Sequence, residues 1–129
     1  MVGHHPLYSS GRNGNTEGLR KILEPMLIKY HADLYLAGHD HDYERFRTTH
    51  GVNYIVSGGG GSYLYDFKDV QPNSLVRIKT IHFLLFEVTP KQLEMKAINR
   101  YGEVVDCTYW QKKKVTARLT RSPSARLDS

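Results

Sequence analysis

The stretch "LYLAGHDHDYERF", residues 34–46, decides how the rest of the chain is read. Residues 34–37 form a short apolar run, and Gly38 ends it. His39 and His41 follow with Asp40 between them, and then "YERF" resumes an apolar rhythm. A short apolar run bounded by a glycine reads as a buried strand, so "DLYLAG" (33–38) is assigned as one. Two imidazoles therefore stand where a strand ends. Alternation puts them on similar sides of the backbone and turns Asp40 elsewhere.

Upstream, "NTEGLRKILEPMLIKYH" (15–31) places Leu19, Ile22, Leu23, Met26, Leu27 and Tyr30 at helical spacing, a stripe expected to be core. Asn15 or Thr16 would cap this helix, Glu17 favours its positive end, and Pro25 is expected to kink it. Before it, "MVGHHPLYSSG" (1–11) reads as the last residues of a strand entering a loop. Half an element leaves backbone groups without partners, so residues completing that strand are expected upstream of Met1.

Strand end, helix and strand are the order of a crossover unit. If both strands lie in one parallel sheet, "VGHH" and "AGHDH" leave it on the same side, outside the carboxyl ends of the strands. His4 or His5 then approaches His39 and His41, and three imidazoles converging from two loops are a basis for a metal site. Gly3 and Gly38 each precede a histidine and permit a sharp exit or a close backbone approach. His31, His50 and His82 lack such a setting and read as helix-end, turn and strand residues.

Downstream, "YERFRTTHGVNYIVSGGGG" (43–61) reads as a hairpin around His50-Gly51. Residues 62–80 read as irregular. Strands are expected over 81–90, 92–100 and 103–110, with a tight turn at Tyr101-Gly102. Phe83, Leu85 and Glu87, then Leu93, Met95 and Ala97, show the period of two of antiparallel sheet. The class is α/β, weighted to β at the C-terminal end.

The net charge of +5 looks like a nucleic-acid signal until it is located. Residues 111–129 hold six Lys/Arg and one acid, leaving twelve of each sign in residues 1–110. The chain divides into a balanced domain, 1–110, and a basic tail, 111–129, expected to be disordered rather than a binding arm. No nucleic-acid partner is expected. No apolar run approaches the ~18 residues that a membrane span needs. Cys107 is alone, so no internal disulfide forms and the redox compartment stays open.

"VGHHPLYSSG", then "AGHDHDYERF" and "NYIVSGGGGS", in this order and spacing, resemble the C-terminal half of purple acid phosphatases, members of the calcineurin-like metallophosphoesterases. The resemblance covers about residues 1–105 and is nearest the small, tartrate-resistant type. It implies a phosphomonoester substrate, a secreted or lysosomal setting, and a dinuclear metal centre of iron paired with iron, zinc or manganese. By carry-over, His4 and His39 match ligands of the divalent metal, and His41 matches the histidine on the iron. Met1 stands where the family's Val-x-x-His element has its valine. His5 and Asn13 fall where relatives place substrate-facing groups. The small mammalian enzymes have a histidine near Asn13 where this chain reads "SSGRNG", so no acid role carries over from this loop. "SGGGG" (57–61) matches a loop near the cleft. The family's Asp-x-Gly, Gly-Asp-x-x-Tyr and Gly-Asn-His-Asp/Glu blocks, which supply the bridging aspartate, the tyrosine and the asparagine, are absent. The resemblance thus implies an acid-phosphatase-like hydrolase of which this chain carries three metal ligands and no complete site. The alternative from the residues alone is a self-contained metal-binding or interaction module without catalysis.

Overall fold

The computed structural model describes residues 1–112. The basic segment 111–129 lies outside the described residues apart from its first two, of which Gln111 closes the last strand.

One helix and seven strands follow in the order α1 (Glu17–Lys29), β1 (Leu34–Ala37), β2 (Tyr43–Phe46), β3 (Asn53–Ser57), β4 (Ser74–Ile78), β5 (His82–Val88), β6 (Gln92–Asn99) and β7 (Val104–Gln111). Four strands form one sheet in the order β1-β3-β2-β4, and three form a second, β5-β6-β7. β1 and β3 run parallel, while β3–β2 and β2–β4 are antiparallel. Residues 1–4 run along the free side of β1: Gly3 N–H donates to the Leu36 carbonyl and Gly38 N–H to that of His4. The expected parallel arrangement of the first segment and β1 is present, so both histidine loops leave at one edge.

Three layers result: α1, the four-stranded sheet and the three-stranded sheet. Alternation along β1 explains why both faces of this strand are apolar. Tyr35 and Ala37 join Leu7, Leu27, Phe46, Tyr54 and Val56 under the helix. Leu34 and Leu36 turn the other way, onto Ile55, Met95 and Ala97 between the sheets. At the hairpin tip His50 and Gly51 both have positive φ, 49° and 81°. Two such residues in succession match the right-handed twist of the flanking strands, which is why a His-Gly pair serves here.

Three expectations change. Residues 62–80 contain β4, which pairs with β2. Its "SLVRI" alternates, but Leu75 is the outward residue, 43% exposed, and masks the pattern. The helical stripe is also not all core. Leu19, Leu23 and Leu27 pack on the sheet, whereas Ile22, Met26 and Tyr30 are 66%, 49% and 69% exposed. A single sheet beneath one side of the helix covers about one such row. Thr16 occupies the N-cap without a side-chain cap bond, and the Asn15 side-chain Oδ1 instead accepts from Ser9 N–H. On β5 the alternation holds, and it is His82, Leu84 and Phe86 that face inward, leaving Phe83 and Leu85 exposed.

Candidate metal centre

Two loops at the carboxyl edge bring three imidazoles together. The ligand nitrogens of His4, His5 and His39 all lie within 4.8 Å of one another. Ring centroids are 4.9 Å apart for His4–His5, 5.1 Å for His4–His39 and 4.4 Å for His5–His39. His39 Nδ1 and His4 Nε2 stand 3.2 Å apart in a hydrogen bond whose donor depends on the tautomer. Ligands at ~2.0–2.1 Å in a tetrahedral shell are separated by roughly 3.3–3.4 Å. That pair already has the spacing of one edge of such a shell. Burial first, then the neighbouring His5, lowers the His39 pKa and favours the neutral ring that a metal requires.

Local backbone explains the convergence. An added Cβ on Gly3 would lie 2.2 Å from Tyr35 Oη, so only glycine lets this tyrosine reach the loop. Tyr35 Oη then donates to the His5 carbonyl at 3.0 Å, tying the first histidine loop to β1. The sharp exit after β1 falls on His39 itself, at φ 67°, rather than on Gly38. A non-glycine residue in that region is uncommon, and the strain sits where the imidazole must turn back.

His41 lies outside the group of three. Its Nδ1 is 2.8 Å from the Tyr63 carbonyl oxygen, and its ring stacks on Tyr65 at 4.2 Å between centroids, 13° from parallel. A carbonyl only accepts, so Nδ1 donates in this contact and the ring is oriented by it. This is the second-sphere arrangement that orients a metal-binding histidine.

Behind the histidines runs a row of buried carboxylates. Asp40 accepts from Ser9 Oγ at 2.5 Å and from both the backbone and side-chain nitrogens of Asn13, at 2.9 and 2.7 Å. Glu44 accepts from Ser10 N–H and Oγ and from Ser74 Oγ. Between them Asp42 is fully buried, and neither of its oxygens has a partner among the described residues. Asp40 turns away from the rings, as alternation requires. Asn13 donates to Asp40 through its backbone N–H and one Nδ2–H. The carboxylate row and the tyrosines around His41 were not foreseen from the sequence. The acid-every-second-residue pattern in "GHDHDYE" and the aromatic pair in "SYLY" are the signals that carry them.

Gly58 closes the site from below. A Cβ there would lie 1.9 Å from the Asp40 carbonyl oxygen. Gly58→Ala should cost about 1–3 kcal/mol of stability by overpacking and shift residues 40–42. Zinc affinity should fall at least about tenfold with them. Gly60→Ala, where nothing lies within 4 Å, is the matched control. Unchanged zinc titrations for Gly58→Ala would separate this glycine from the site.

No protein-family model matches the chain. Among curated proteins, tartrate-resistant acid phosphatase type 5 of Oryctolagus cuniculus is 31% identical over 116 residues, 80% of this chain and 34% of that protein. Purple acid phosphatase 3 of Arabidopsis thaliana is 29% identical, over 87% of this chain and 31% of that protein. A purple acid phosphatase isolated from yellow lupin (Lupinus luteus) seeds superposes at TM-score 0.71 over 84% of this chain, at 21% identity. This is a purple-acid-phosphatase-like chain.

Its fold is accordingly that of the metallophosphoesterases, two sheets with helical cover, of which the chain spans about one third of the length of its curated relatives. GAP50, described as the anchor in the inner membrane complex of Plasmodium, superposes on the purple-acid-phosphatase-like chain at TM-score 0.76 with 26% identity. That match covers 88% of this chain and 36% of GAP50. Among the described residues, no helix is long and apolar enough to cross a membrane.

Proposed function

We propose that this chain carries metal-binding histidines of a phosphomonoesterase, an acid-phosphatase-like hydrolase with a dinuclear centre. The observation that carries the reading is the His4–His5–His39 group, on loops at the carboxyl edge of a purple-acid-phosphatase-like fold. His4 and His39 would hold the divalent cation, His41 would serve the iron, and His5 would face the substrate phosphate. Asn13 belongs to the same loop and fixes its path through Asp40. Iron, zinc and manganese all accept imidazole. A dinuclear centre, when bound, polarises the phosphate and activates the attacking water.

The donor set suits one cation better than two. Among the described residues only His4, His5 and His39 form a group of metal-ligating side chains close enough to share an ion. Asp40 is engaged with Ser9 and Asn13, so a bridging carboxylate has to come from other groups. The secreted or lysosomal setting, like the substrate, rests on the relatives.

Zinc or cobalt titration of the full chain tests this reading. One equivalent should bind, and His4→Ala and His39→Ala should each weaken it at least about tenfold, while His50→Ala should not. With no carboxylate in that group among the described residues, the wild-type chain should hydrolyse p-nitrophenyl phosphate no faster than His39→Ala. Wild-type metal affinity in both histidine variants sinks the proposal. The second reading, an interaction module without catalysis, draws on the likeness to GAP50 and gains if no metal binds.

A further inference from the structure

Beside His41 lies an open hollow of about 300 Å³ lined by Arg12, Tyr63, Leu64, Tyr65, Asp66 and Lys68. It touches the candidate centre through aromatic contacts. His41 stacks on Tyr65 and meets Tyr63 edge-on at 5.6 Å, and the two tyrosine rings are 5.5 Å apart. The Tyr63 ring is 70% exposed. The Arg12 guanidinium sits 5.1 Å from the centre of the Tyr65 ring. Asp66 pairs with Lys79 at 2.7 Å. The head groups of Arg12 and Lys68 enter no hydrogen bond or ion pair among the described residues. A flat, water-exposed ring next to two unpaired cations is a surface for a ligand that is itself flat and anionic.

We propose that this hollow is the leaving-group subsite of the phosphatase site, selecting aryl phosphates that carry a second anionic group on the ring. The inference rests on the reading of the histidines as the phosphate-binding end. The phosphate lies towards His39 and His41, the ring packs on Tyr63, and the second anion meets Arg12 in a charge-assisted hydrogen bond. Tyr65, between His41 and Arg12 in the chain of contacts, is a positioning residue. The loop 9–14 thus presents Arg12 to the ligand, while Asn13 donates to Asp40.

The test uses the full, zinc-loaded chain and four ligands: phenyl phosphate bearing a para-carboxylate, phenyl phosphate, glycerol 2-phosphate and inorganic phosphate. NMR shifts of the Tyr63 and Tyr65 rings give each dissociation constant. The carboxylated ester should bind about tenfold tighter than phenyl phosphate, and phenyl phosphate several-fold tighter than glycerol 2-phosphate. Arg12→Gln should erase the first step and Arg12→Lys restore part of it, while Tyr63→Leu should erase the second. Both side chains are exposed, so neither replacement threatens folding. Equal affinities for the three esters, or an order untouched by Arg12→Gln, overturns the proposal. So does failure of any aryl ligand to move the tyrosine signals. If inorganic phosphate fails to bind while the carboxylated ester still binds through Arg12, the metal-site reading falls and the subsite stands.

Discussion

Asp106→Ala should lower the unfolding free energy of the chain by about 3–5 kcal/mol. Asp106 of β7 binds Arg45 of β2 through two contacts, Nε to Oδ2 at 2.7 Å and Nη2 to Oδ1 at 3.0 Å. Tyr43 Oη also donates to Oδ2, at 2.6 Å. The side chains of the ion pair are only 15% and 11% exposed, and Tyr43 is fully buried. Burial pushes the Asp106 carboxyl up, but hydrogen bonds from Arg45 and Tyr43 outweigh it and hold it below the ordinary carboxylate range. Removing the carboxylate takes from the Arg45 guanidinium its acceptor among the described residues and leaves the Tyr43 phenol only the long contact to Met95 Sδ at 4.0 Å.

That large cost measures uncompensated groups rather than net stabilisation by the pair. The triple replacement Tyr43→Phe, Arg45→Met and Asp106→Ala should therefore recover most of the loss. Urea unfolding of the wild type, Asp106→Ala and the triple variant separates the two effects. A loss under about 1 kcal/mol for Asp106→Ala would show that water reaches the node and screens it. The node matters for the site because β2 begins two residues after His41, and the second sheet holds β2 in place through this contact.

The same strand shows how far the residues alone could be read. β1, the hairpin and the three C-terminal strands follow from local pattern, because each buries one parity of side chains. Convergence of His4 with His39 was also legible, since a strand end, a helix and a strand constrain where both loops emerge. His5 joining that group was not, because it depends on a tyrosine hydroxyl fitting beside a glycine 32 residues earlier. Nor was the division of the helical stripe, which depends on how many layers lie against α1. Arg45 and Asp106 are 61 positions apart, and no local pattern pairs them. No local pattern in "DHDYE" marks Asp40, Asp42 and Glu44 as buried. Their burial becomes visible only when loop 9–13 lies over them, with Gly11 packed so closely that a Cβ would be 2.5 Å from Asp42 Oδ2.

Asp42→Asn should make the metal-free chain more stable at pH 8 and leave it nearly unchanged at pH 4. Asp42 is enclosed, its oxygens lack partners among the described residues, and Asp40 and Glu44 flank it. Burial, then the charges of Asp40 and Glu44, push its carboxyl up to about 7 from 3.8. The folded chain therefore holds this proton more tightly than the unfolded one. The stability this contributes is present in full below the unfolded value and is lost as pH rises through about 7. The gap corresponds to at most about 4 kcal/mol, and relaxation around the ionised group should bring it to on the order of 2–3 kcal/mol. An amide cannot ionise, so the variant escapes that loss. Asp106, whose depressed value acts with the opposite sign, is common to both proteins and cancels in their difference. Chelator-treated wild type and Asp42→Asn should thus give unfolding free energies that coincide near pH 4 and separate progressively to pH 8. Parallel curves across that range would mean that Asp42 is already ionised and satisfied, and that the carboxylate row carries three negative charges behind the histidines.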